Sequence, residues 1–62
     1  MTEAITSSLL FSTDELARKF VYEVTSTFGT PCLRLNYEVF FVAQNEHELR
    51  EILSVGHQLG GY

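Results

Sequence analysis

The chain has 62 residues, 45% of them hydrophobic and 19% charged, with eight acids against four bases and a net charge of −4. Nucleic-acid backbones and anionic membranes attract basic surfaces, so this balance argues against both as main partners. The composition is too apolar for a disordered chain, and its apolar runs fall far short of the ~20 residues that span a bilayer.

A chain of this length makes one domain, here residues 1–62, and buries only about 60% of the surface its unfolded form exposes. Small domains compensate with disulfides, a metal or a second subunit. Cys32 is the only cysteine, so no disulfide can form within the chain, which fits a reducing, cytoplasmic setting. The N-terminus reads Met-Thr-Glu-Ala, without the basic region of a secretory signal. Residues 1–4 carry no pattern and are expected to fray.

Ile5 to Phe11 is rich in β-formers at its ends and reads as a short strand. Ser12-Thr13-Asp14-Glu15 has the form of a capping box, with Ser12 as N-cap and Glu15 at the third helical position. Phe11 and Leu16 then make a hydrophobic staple. A helix follows to about Phe28, with Leu16, Ala17, Phe20, Val21, Val24 and Phe28 as its apolar stripe. Asp14–Arg18 and Glu15–Lys19 are acid-before-base pairs four residues apart on the other side. Gly29 suits a left-handed cap, and Pro31 blocks continuation.

Leu33 to Val42 is the most apolar and β-prone stretch and reads as a hairpin. A two-residue turn at Asn36-Tyr37 sets Leu35 opposite Glu38. A three-residue loop, Asn36-Tyr37-Glu38, sets Leu35 opposite Val39 and Leu33 opposite Phe41. The second register is preferred because it gathers four apolar residues on one face, and Asn-Tyr is also a poorer tight turn than Asn-Gly. A one-residue slip would move side chains to the other face. Asn45 and Glu48 have N-cap and third-position spacing for a last helix. Its stripe is Leu49, Ile52, Leu53, Gly56 and Leu59, with Gly56 marking a close approach to another backbone. Gly60-Gly61 end it, leaving residues 60–62 as a mobile tip.

The order β-α-β-β-α, with one apolar stripe per helix, predicts a two-layer α+β sandwich with both helices on one face of the sheet. Strand order 1-3-2, all antiparallel, puts Val39-Phe40-Phe41-Val42 in the middle. The arrangement is like a ferredoxin-like fold lacking its last strand, an analogy of topology that carries no function.

Chemistry-bearing patterns are sparse. His47 and His57 lie about 15 Å apart along one helix and cannot share a metal within one chain. His47 and Glu51 form at most a weak ligand pair, where metal sites need three or four ligands. No metal or other cofactor is expected. Cys32 beside a histidine is the only nucleophile candidate, and a strand cysteine among large apolar residues is more often a small hydrophobe. No phosphate-binding glycine motif is present, and no catalytic residues are assigned. Tyr37, Phe40 and Arg34 resemble a base-stacking platform only weakly, since Arg34 is the hairpin's single base. The acids on the helices sit near Arg18, Lys19 and Arg50 and read as solvated pairs rather than a phosphate mimic.

The preferred register leaves Cys32, Arg34, Phe40 and Val42 facing away from the helices, and these four are the expected partner-binding residues. The chain therefore reads as a small non-enzymatic interaction module. It is expected to act as an inhibitor, adaptor or regulator of a larger protein, alone or as a homodimer, a role that suits a phage or mobile-element protein. The alternative is a module that holds a small molecule at a homodimer interface.

Overall fold

The computed structural model describes residues 4–62; of the residues 1–4 expected to fray, 1–3 lie outside them. The elements are β1 (Ile5–Leu10), α1 (Asp14–Phe28), β2 (Cys32–Leu35), β3 (Glu38–Ala43) and α2 (Glu46–Gln58). The three strands form one antiparallel sheet in the order β1-β3-β2. Both helices contribute to a core on one face of that sheet, so the fold is the expected two-layer α+β arrangement.

Local sequence accounts for most element ends. Gly29 adopts a left-handed φ of 66° and its N–H bonds the Thr25 carbonyl at 3.0 Å, closing α1. Asn45 caps α2, its Oδ1 accepting the Glu48 N–H at 2.9 Å. The Glu48 carboxylate reaches back to the Gln44 N–H at 3.1 Å, one residue beyond the usual box. At the other end of α2, the Gly60 N–H bonds the His57 carbonyl and the Gly61 N–H bonds the Gly56 carbonyl at 2.8 Å. Those two bonds, with Gly60 at φ 89°, make a Schellman motif.

The start of α1 differs by one residue from the expected capping box. Thr13, not Ser12, is the N-cap, and its hydroxyl oxygen accepts the Leu16 N–H at 3.2 Å. The reason lies in the sheet. The β1–β3 pairing continues past Leu10, because the Phe11 N–H bonds the Tyr37 carbonyl at 2.8 Å. The backbone is still extended at Phe11, and Ser12 is used to turn the chain towards the helix. Phe11 is a core residue rather than a staple: its ring lies 5.1 Å from that of Phe20, which meets Phe41 edge-on at 5.8 Å.

Gly56 is a place of close approach, though to side chains. A Cβ there would overlap Leu9 Cδ1 and come within 3.1 Å of the Phe20 ring. Missing a side chain, Gly56 lets α2 settle against β1 and α1 together. The chain end is more tied than a loose tip. Tyr62 exchanges two backbone hydrogen bonds with Leu10, at 2.8 and 3.0 Å, and Gly61 is buried beside the Phe11 ring.

The hairpin register corrects the sequence expectation. Leu35 pairs with Glu38 and Leu33 with Phe40, so the turn is the two-residue Asn36-Tyr37. Asn36 takes φ 58°, a conformation its short polar side chain tolerates better than most. On β3, Val39 and Phe41 are buried against the helices as expected, joined by Ala43. On β2 the two sets are exchanged. Cys32 and Arg34 lie on the helix side, and Leu33 and Leu35 point away from it.

Candidate interaction surface

The register arranges the uncovered face of the sheet in three cross-strand rows. Leu10, Glu38 and Leu35 form the row nearest the turn. Ser8, Phe40 and Leu33 form the middle row, and Thr6 with Val42 the last. Directly paired residues share a face and touch, so these rows are continuous. Four of the apolar residues are well exposed: Leu33 at 60%, Leu35 at 55%, Leu10 at 41% and Val42 at 37%. Phe40, at the centre, is half-buried by its neighbours.

Of the four residues expected to bind a partner, the structure puts two on this face, Phe40 and Val42. The other two are elsewhere. Cys32 is half-buried and packs against the core, with its Sγ 3.5 Å from the Thr30 carbonyl. Burial pushes its thiol pKa up, only partly offset by a hydrogen bond with Thr25. Such a thiol is the opposite of an activated nucleophile. Arg34 crosses from the edge of the sheet to α1, where it pairs with Asp14 and also donates to the Asn36 carbonyl at 3.1 Å. Arg18 reaches the same Asp14 carboxylate at 3.3 Å. These groups border a shallow groove between α1 and β2 whose walls include Val21, Tyr22 and Thr25.

A register that gathers the most apolar residues on one face turns Leu33 and Leu35 inward, so the sequence pattern alone does not point to them or to Leu10 as surface residues. A usable signal was the alternation along β1, where Thr6, Ser8 and Leu10 must share a face. The polar element of the surface is Glu38. The Ser8 hydroxyl donates to its Oε2 at 3.1 Å across the strand pair. Glu38 is half-buried and, among the described residues, has no cationic side chain within ion-pair distance.

Elsewhere, His47 and Glu51 form a solvent-exposed pair at 2.7 Å on α2. Among the described residues no three histidine, cysteine or acidic side chains gather as metal ligands do, and no helix is long and apolar enough to cross a membrane. Comparison with protein-family models, with curated proteins and with solved structures returned no match for this chain.

Proposed function

We propose that the chain is a small non-enzymatic interaction module, an inhibitor, adaptor or regulator that works by docking its uncovered sheet face on a larger protein. The observation that carries this reading is the patch of leucines around Phe40 that no described element covers. A sheet with one face on the core normally presents polar side chains on the other. Here Leu10, Leu33, Leu35, Phe40 and Val42 occupy that face instead. Contiguous apolar surface of this kind marks interaction sites, and a central aromatic ringed by leucines suits the role of anchor. The lone half-buried Cys32 suits a reducing compartment such as the cytoplasm.

The test is affinity capture from the native host with three forms of the protein: wild type, Leu33→Glu on the open face, and Ser54→Glu on the exposed side of α2. Both changes are at exposed positions. A partner held by wild type and Ser54→Glu but lost by Leu33→Glu supports the reading. A partner held equally by all three, or lost only with Ser54→Glu, overturns it.

A further inference from the structure

We infer that the open sheet face takes an amphipathic helix of a partner protein that carries an arginine at one end of its apolar stripe. The inference rests on the reading of that face as a docking surface and adds the chemistry of the occupant. It is carried by Glu38, which is flanked by Leu10 and Leu35 in its row and held by one hydrogen bond from Ser8. Covering the leucines removes water from Glu38 as well. A carboxylate covered without a cation carries a desolvation penalty that offsets part of what the leucines around it gain. An occupant that brings a positive charge to that point removes this penalty, and a guanidinium can bond both carboxylate oxygens at once.

This penalty discriminates between occupants. A second copy of the same face supplies Leu10, Leu33, Leu35, Phe40, Val42, Thr6, Ser8 and another Glu38, with no base among them. Face-to-face self-association would leave two carboxylates unpaired between chains that each carry a net charge of −4. A basic partner meets both the local and the overall charge.

The dimensions of the sheet accommodate a helix. The outer strands lie about 10 Å apart, close to the ~10–12 Å diameter of one helix with its side chains. Along β3, Glu38, Phe40 and Val42 point outward at steps of about 7 Å, near the ~6 Å rise between positions i and i+4 of a helix. An arginine followed by apolar residues at spacings of four and seven or eight would set its charge on Glu38 and its apolar groups on Phe40 and Val42.

The probe is a pair of synthetic 14-residue amphipathic peptides, identical except for arginine or glutamate at the head of a leucine stripe. Their affinities for the whole chain are measured by fluorescence anisotropy, with sedimentation of the protein alone in parallel. The arginine peptide should bind wild type at least about tenfold more tightly than its twin, Glu38→Gln should erase that preference, and Glu38→Arg should invert it. Equal binding of both peptides, abolished by Leu33→Glu and indifferent to Glu38→Gln, overturns the charge requirement while leaving the docking face in place. Failure of both peptides to bind overturns the helix, and the Leu33→Glu capture comparison then decides separately whether the face docks anything. A dimer in sedimentation that Leu33→Glu dissociates overturns the inference in favour of a second copy.

Discussion

The register of the β2–β3 hairpin decides which residues are available to a partner, and four truncations test it. Val39 and Phe41 are at most 1% exposed, and Phe41 packs edge-on against Phe20 in the centre of the core. Phe41→Ala removes a ring that the core cannot refill and should cost about 3–5 kcal/mol. A domain of this size has a total stability of only about 3–9 kcal/mol, so the variant should be largely unfolded or close to it. Val39→Ala removes two methyl groups and should cost about 1–3 kcal/mol. Leu33 and Leu35 keep more than half of their surface in water, so truncating either should change stability by no more than about 0.5–1 kcal/mol. The assay is urea unfolding followed by circular dichroism, with m-values compared to confirm a two-state transition. The three-residue loop predicts large losses at all four positions. If Leu33→Ala and Leu35→Ala destabilise as much as Val39→Ala, the assigned face is wrong and the candidate surface with it.

Other consequences are independent of the hairpin. Thr13→Ala should lower stability by about 1 kcal/mol while Ser12→Ala stays within about 0.5 kcal/mol, because Thr13 caps α1; equal effects on thermal melting would return the cap to Ser12. Gly56→Ala gains about 1 kcal/mol of helix propensity but forces a methyl into Leu9 and Phe20, an overpacking that costs about 1–3 kcal/mol. A net loss is expected, and a variant more stable than wild type would show that α2 can shift freely. Cys32 titrates higher folded than unfolded, so above about pH 9 the unfolded chain gives up its proton first and stability falls as pH rises. Cys32→Ser should flatten that fall in denaturant titrations between pH 8 and 10.

Element order and strand order were legible because each rests on local chemistry or on a count of neighbours. The stripes on α1 and α2, the Gly29 cap and the Asn45 cap lie within a few residues of the features they determine. Val39 to Val42 is an uninterrupted apolar run suited to the middle of the sheet, and the order β1-β3-β2 places it there. The cap of α1 was ambiguous because Ser12 and Thr13 are both good N-caps. What separates them is the bond from Phe11 to Tyr37, a contact 26 residues distant in sequence. The site was half legible. Phe40 and Val42 follow from β3 alone, but the facing of β2 depends on whether Asn36 accepts a left-handed conformation and on what Arg34 can reach on α1.

Turning Leu33 and Leu35 inward would leave β3 unchanged, since only the facing of β2 differs between the two registers. The isolated domain thus leaves two leucines outside that the other register would have directed towards α1. Burying a leucine side chain is worth up to about 1.5–3 kcal/mol. The observed arrangement instead brings Arg34 to Asp14, an exposed ion pair worth at most about 1 kcal/mol. The tight turn, continuous with the β1–β3 ladder through Tyr37 and Phe11, fixes this choice locally. What the monomer does not bury on this face remains available to whatever covers it. Because the open face also holds Glu38, a partner docked there as proposed would leave that carboxylate unpaired if it lacked a base. On the proposed docking, the leucines would provide the affinity and the carboxylate the selection, so the two should separate in mutants: Leu33→Glu weakening every partner, Glu38→Gln weakening the discrimination between them.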